Sequence, residues 1–365
     1  MPTFCEATVA KVTDKRAGLC RVLLDDGSQA YALTQLTGPV SVGDRVVINT
    51  TAVELDLGSG GWHVVHWNLT KGPWSQPGPG HLMKLRYTSL QVDTGAGEEA
   101  DGPDQSMARS FLGGIPVVVA GVHSQLPVIA AAIADARPGT RVVYLMTDGA
   151  ALPIALSEQV ARLRELELLA ATVTAGHAFG GDLEALNVPS GLVLARTRLE
   201  AEVVVVAMGP GGAGTGSRLG FTALEVAPVL DATAWLQGRP IVCLRCSEAD
   251  PRPRHRSVSH HSLTALEAVR SVVEVPYPPG IDPPLSSRHR WVQIDPGDPS
   301  ALLERASLQV TTMGRTTAED PLYFSAAAAA GVLAARHAGL LAAPSDTVRA
   351  VQGTSPPQGA VAPSP

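Results

Sequence analysis

Two kinds of hydrophobic pattern divide the chain. From residue 4 to 70 apolar and polar positions alternate over short runs: Glu6 to Val12, Cys20 to Leu24, Gln29 to Leu33 and Val42 to Ile48. Asp25-Asp26-Gly27 separates two of these runs and gives a hairpin signal, so this part reads as a small β-barrel of the OB or SH3 kind. After Gly114 the alternation gives way to continuous apolar, β-branched runs. Pro116 to Val122, Arg141 to Met146, Ala171 to Ala175, Glu202 to Met208, Pro240 to Leu244, Val272 to Val275 and Trp291 to Ile294 alternate with helical stretches such as Val128 to Ala136, Ile154 to Leu168, Leu183 to Leu199, Phe221 to Leu236 and Leu263 to Val269. Strands apolar on both faces, interleaved with helices, predict a mainly parallel, doubly wound α/β sheet.

The boundaries that follow are a barrel over 1–75, a connecting strand and mobile loop over 76–115, the α/β domain over 116–343 and a disordered Pro/Ser/Gln-rich tail over 344–365. Within the connection, His81 to Val92 reads as one strand and Asp93 to Ser110 as the loop. Asp320 to Leu341 predicts one long Ala-rich helix, whose small side chains permit close packing.

Composition narrows the function. The 365 residues are 45% hydrophobic and 17% charged, with a net charge of -6, so a broad phosphate-backbone-binding face is disfavoured and nucleic acid is an unlikely partner. In the barrel, Lys11, Lys15, Arg16, Arg21, Arg45 and Lys71 are offset by Glu6, Asp14, Asp25, Asp26, Asp44, Glu54 and Asp56. No run reaches the ~18 to 20 unbroken apolar residues that cross a bilayer, and Met1 to Ala10 lacks a charged-then-apolar leader pattern. A cytoplasmic location without membrane attachment is the expectation. Of the cysteines Cys5, Cys20, Cys243 and Cys246, the last two form a C-x-x-C on an expected buried strand, where structural packing is favoured over zinc or redox work.

In open α/β sheets ligands bind beyond the carboxyl ends of the strands. Those ends carry His123-Ser124, Thr147-Asp148-Gly149, His177, Gly209 to Gly212, and Arg245 to Ser247. Convergence of His123, Asp148 and His177 on one site would supply acid/base or metal-ligand chemistry; polar residues also belong at strand ends for turning and hydration alone.

The loop after the Val203 to Ala207 strand core holds Gly209, Gly211, Gly212, Gly214, Thr215, Gly216, Ser217 and Arg218, including G-x-G-x-x-G at Gly209, Gly211 and Gly214. Its backbone N–H groups, hydroxyls and Arg218 suit an anion. A nicotinamide cofactor is disfavoured, because Asp231 falls within the next helix and Glu248 lies too far on to bind a ribose, and no Lys completes a P-loop. The segment from Asp250 to Thr264 adds Arg252, Arg254, Arg256, His255, His260 and His261. It reads either as a solvated basic loop or as a ligand-contacting one, with Ser259 or Ser262 capping a helix from near Ser262 or Leu263. A divalent metal is a possible cofactor with His260, His261 and Asp148 as candidate ligands, although adjacent histidines rarely point to one ion and another ligand such as His123, His177 or Asp250 would be needed. Lower in rank stand His81 and Lys84 at the joint, Asp182 and Glu184 around an expected helix start capped by Asp182, and Thr311 to Thr316 with Glu319, Asp320 and Pro321.

Taken together, Gly78 to Lys84, Thr147 to Gly149 with Ala151 to Pro153, Ala178 to Ala185, Gly209 to Gly211 with Gly214 to Gly216, and Ser259 to Thr264 resemble an uncharacterised actinobacterial family, domain-of-unknown-function family 3866, over about residues 5 to 335. The resemblance implies one known unit and carries no activity. The residues themselves point to a hydrolase or group transferase acting on a small anionic or phosphorylated metabolite. The alternatives are a non-catalytic metabolite-binding or scaffold protein and, more weakly, an RNA-contacting one; a homo-oligomer is compatible with each. Covalent catalysis lacks support, since no G-x-S-x-G elbow is present.

Overall fold

The structure, a computed structural model, describes residues 2–58, 60–100, 111–284 and 287–341. The final stretch of the loop expected up to Ser110 and the expected tail over 344–365 lie outside the described residues.

The amino-terminal strands β1 (Phe4–Arg16), β2 (Leu19–Leu24), β3 (Gln29–Leu33), β4 (Arg45–Asn49) and β5 (Trp62–Asn68) close into a barrel in the order β1-β2-β3-β5-β4. The parallel β3–β5 pair and the closure of β1 on β4 give it an OB topology. Alternate positions, among them Val9, Cys20, Val22, Leu24, Ala30, Ala32, Val46, Ile48 and Val65, fill its interior. The expected hairpin turn at Asp25-Asp26-Gly27 joins β2 to β3.

The connection differs from expectation. Among its described residues, only β6 (Met83–Lys84) and β7 (Val92–Asp93) are strands, and they pair antiparallel. Leu85 and Tyr87 take φ of 52° and 62°, a left-handed conformation that ends a strand.

The larger sheet contains β8 (Pro116–Ala120), β9 (Val142–Thr147), β10 (Ala171–Ala175), β11 (Leu183–Ala185), β12 (Val203–Met208), β13 (Arg239–Cys243), β16 (Glu274–Tyr277) and β17 (Arg290–Gln293). Between β13 and β16, β14 (Cys246–Ser247) and β15 (Ser257–Val258) form a separate antiparallel pair. The eight strands run in the order β11-β10-β9-β12-β8-β13-β16-β17, every pair parallel. Along β12, Val203, Val205 and Ala207 enter one core layer, while Val204 and Val206 enter the other. This period-two division is why the runs are apolar throughout.

Helices Leu126–Ala136, Glu158–Glu165, Pro299–Arg305 and Pro321–Leu341 cover the first face. Helices Val188–Thr197, Val226–Trp235 and His260–Ala268 cover the second. The chain therefore leaves β8 over one face and the adjacent β12 over the other, a reversal of the kind beyond whose carboxyl ends open sheets place their ligands.

Leu183–Ala185 is strand, so the expected helix over Leu183 to Leu199 is shortened to Val188–Thr197, capped by Asn187. Asp182 caps no helix; its carboxylate accepts from the Thr172 amide and hydroxyl. The Pro321–Leu341 helix is long and apolar enough to cross a membrane by length and composition, contrary to the expectation that no segment would be. It is a core helix by packing, since most of its residues from Tyr323 to Ala338 are buried. At Gly331 a Cβ would stand 2.6 Å from the Ile129 carbonyl oxygen, so glycine permits the close approach to Leu126–Ala136.

The barrel docks on the carboxyl end of β9 and β10. Leu19, Leu33 and Leu36 pack with Phe179, and Leu85, Leu152, Ala155 and Leu156 close the cluster. Arg21 pairs with Glu158 beside it.

Candidate functional site

The carboxyl edge of the sheet holds two separate arrangements of polar groups. The first lies beneath the barrel. Asp148 follows β9, and its Oδ2 accepts from the His177 amide at 2.9 Å. Gly176 turns with φ +65°, and a Cβ there would fall 2.2 Å from Asp148 Oδ2. His177 in turn accepts at Nδ1 from the Leu85 amide, 3.1 Å away. Lys84 is buried, its ammonium donating to the carbonyls of Thr174 and Ala178 at 3.0 and 2.6 Å and pairing with Glu184 at 2.8 Å. Burial pulls the Lys84 ammonium below its ordinary range, opposed by Glu184.

His123, after β8, is also internal. Its Nε2 lies 2.7 Å from Ser157 Oγ and its Nδ1 lies 3.1 Å from the Met208 carbonyl, so Nδ1–H donates and Nε2 accepts. Ser157 Oγ meanwhile accepts from Val160 N as the cap of Glu158–Glu165. Burial pushes the His123 imidazole down to about 4, so it is neutral near pH 7. Between these groups, Glu225 accepts from the Thr147 hydroxyl at 2.6 Å, and burial raises its carboxyl above the ordinary range. Only its place as an acid inside the apolar Phe221 to Leu236 run marks Glu225 in the sequence.

The second arrangement lies past β12 and β13. The β14–β15 pair draws residues 248 to 256 into a loop built around two buried carboxylates. Asp250 accepts from Arg252 Nε and Nη2 at 2.9 and 2.8 Å and from Arg245 Nη2 at 3.3 Å, while Arg256 Nε donates to its carbonyl. The Arg252 hydrogen bonds hold the Asp250 carboxyl well below the usual range. Asp320 accepts from Ser247 Oγ and from Arg315 Nε at 2.6 and 3.0 Å. Arg252 and Arg256 are thus committed to the loop's own fold. Arg218 pairs with Glu267 at the exposed surface.

Arg254 is exposed and has no carboxylate partner among the described residues. It reaches toward the glycine loop: a Cβ at Gly216 would sit 3.4 Å from its Nη1. That loop is closed on itself by Thr215 N to the Gly220 carbonyl and Thr222 N to the Ala213 carbonyl. Thr215 and Ser217 share a hydroxyl contact at 3.0 Å. A Cβ at Gly214 would be 3.8 Å from His261 Cε1.

Ser259 caps His260–Ala268 by accepting from the His261 amide, so the helix starts two to three residues earlier than the sequence suggested. This start brings three imidazoles together. The rings of His255, His260 and His261 have centroids 4.3 to 5.0 Å apart, and His261 stacks on Phe221 at 3.9 Å. The adjacent histidines therefore share one cluster, which their neighbouring positions argued against. Ser259 Oγ lies 2.7 Å from His255 Nδ1. Burial, then His260 and His255, push His261 down to about 3; burial, then Arg245 and Arg252, push His255 down to about 4.

The five histidine and aspartate candidates thus fall into three groups: Asp148 with His177, His123 by itself, and His260 with His261 joined by His255. Asp148 has no contact with the histidine cluster among the described residues. Cys243 and Cys246 enter opposite core layers, and all four cysteines are free. Burial raises the Cys246 thiol to about 12.

An OB barrel joined to a doubly wound α/β domain, with glycine loop, arginine and imidazoles beside the sheet's reversal point, defines the class of protein. The chain belongs to the family described as "Protein of unknown function (DUF3866)", whose model matches residues 29–331. No curated protein matches it.

Proposed function

We propose that the chain is a cytoplasmic enzyme, a hydrolase or group transferase, acting on a small anionic metabolite beyond the carboxyl ends of β8, β12 and β13. One observation carries the reading: the glycine loop, the exposed Arg254 and the neutral imidazoles of His255 and His261 meet at one place. Arg254 and the loop's amides attract negative charge. A neutral imidazole beside them offers a lone pair that accepts a proton from an attacking water or hydroxyl, or holds a metal ion that activates that water.

The test is titration with inorganic phosphate, then release of phosphate from a panel of small phosphomonoesters. Arg254→Ala weakens phosphate binding at least roughly tenfold on this reading, the scale of a lost charge-assisted contact. Phosphate binding that Arg254→Ala leaves intact, or turnover that His261→Asn leaves intact, contradicts it.

A second reading, metabolite binding without turnover, is favoured by the engagement of Asp148 and His123 in internal hydrogen bonds. It expects the same loss of phosphate binding in Arg254→Ala with no turnover to lose in any variant.

A further inference from the structure

We propose that His255, His260 and His261 form a binding site for a divalent transition metal, zinc foremost. The ligating nitrogens of the three lie within 4.8 Å of one another, so shifts of about an ångström each bring them onto one ion. His260 Nε2 is buried with no hydrogen-bond partner among the described residues. A buried polar nitrogen is almost always satisfied, and a metal satisfies this one.

The other two rings are already held as ligands are held. Ser259 Oγ engages His255 Nδ1, which leaves Nε2 as the nitrogen with the lone pair; Arg254 Nε contacts it at 3.4 Å and would swing aside. Such an outer hydrogen bond fixes the tautomer and aim of a metal-bound imidazole. Phe221 stacks flat on His261, at an interplanar angle of 7°. The Ser259 cap turns the backbone so that successive residues, His260 and His261, face the same side with rings at 62°.

The chemistry of the donor set selects the ion. Three neutral nitrogen donors suit Zn2+, Ni2+, Cu2+ or Fe2+ and discriminate against Mg2+ and Ca2+, which take oxygen. With no carboxylate among the ligands the ion keeps its full charge, and Arg254, which contacts His255, adds to it. The remaining coordination position, toward the glycine loop, therefore takes an anion's oxygen. That last step alone rests on the anion site proposed above. It makes the two ligands reciprocal: phosphate tightens zinc, and zinc tightens phosphate by the same factor.

The experiment uses the full chain, gently purified, with metal content by mass spectrometry and Zn2+ titration against a competing chelator. Co2+ substitution supplies an optical signature. Wild type is expected to hold near-stoichiometric metal and, with Co2+, to show the visible bands of a four- or five-coordinate ion. His260→Asn and His255→Gln each lower Zn2+ affinity by at least roughly tenfold and remove the bands, whereas His123→Gln leaves both unchanged. Matching far-ultraviolet spectra of the variants exclude unfolding as the cause. Phosphate binding with no Zn2+ or Co2+ binding overturns the metal site and leaves the anion site standing. Zn2+ binding lost in His260→Asn, with no phosphate response in wild type, upholds the metal site and overturns the anion reading. Zn2+ binding unchanged in both histidine variants overturns the metal site outright.

Discussion

The two ends of the sheet's carboxyl edge use the same residue types for different purposes. Beneath the barrel, the Asp148 carboxylate, the His177 Nδ1 and the Lys84 ammonium are each bonded within the protein, to the His177 amide, the Leu85 amide, and the Thr174 and Ala178 carbonyls with Glu184. Past β12 and β13, Arg254 has no carboxylate and His260 Nε2 has no partner among the described residues. Polar groups at strand ends are therefore not equivalent candidates. Those the fold has consumed serve stability, and those it has left unspent are where a ligand gains most.

The sharpest way to break this contrast is at Lys84. Lys84→Met leaves Glu184 and two carbonyls buried without their cation, and should cost about 3–5 kcal/mol in urea unfolding. A loss below about 1 kcal/mol would mean that the region beneath the barrel is no more committed than the other. His123 comes next, through pH. Its native imidazole titrates near 4 against an ordinary 6.5, so the unfolded chain binds the extra proton between those values. Its contribution of about 3 kcal/mol is complete above pH 6.5, falls away as pH drops through that window and is gone below about 4. His123→Gln should flatten the stability–pH curve there by up to one proton; an unchanged slope would show that His123 is not buried neutral.

Ser157→Ala removes both a helix cap and the partner of His123 Nε2, and should cost about 1–2 kcal/mol by thermal or urea unfolding. The smallest effect belongs to the other side. Arg254→Ala should change stability by less than about 0.5 kcal/mol while it weakens phosphate binding. A large stability loss there would erase the distinction between the two regions.

Much of the fold was legible because its signals are local. Runs such as Val203 to Met208, apolar at every position, announce a strand buried on both faces, and Asp25-Asp26-Gly27 announces a hairpin. The placing of the glycine loop followed from the rule that the strand carboxyl ends bear the ligand. What was not legible depends on long-range partners. Leu183-Glu184-Ala185 has the composition of a helix and becomes strand because β10 offers it a parallel edge and Lys84 pairs with Glu184. His81 to Val92 looks extended but is broken at Leu85 and Tyr87.

The site shows the same limit. Asp250 and Asp320 carried no mark that three arginines would close on them, which removed Arg252 from the candidate anion ligands and left Arg254. The meeting of His255 with two adjacent histidines depends on where Ser259 starts the helix, immediately before the pair.

The central claim is that ligand chemistry belongs to the unspent edge and not to the consumed one. It is tested most directly by following the imidazole nitrogen resonances of 15N-histidine-labelled protein during a titration with inorganic phosphate. His255, His260 and His261 are expected to shift together and saturate while His123 and His177 stay fixed. Saturable shifts at His123 or His177, with the three clustered histidines unmoved, would contradict it.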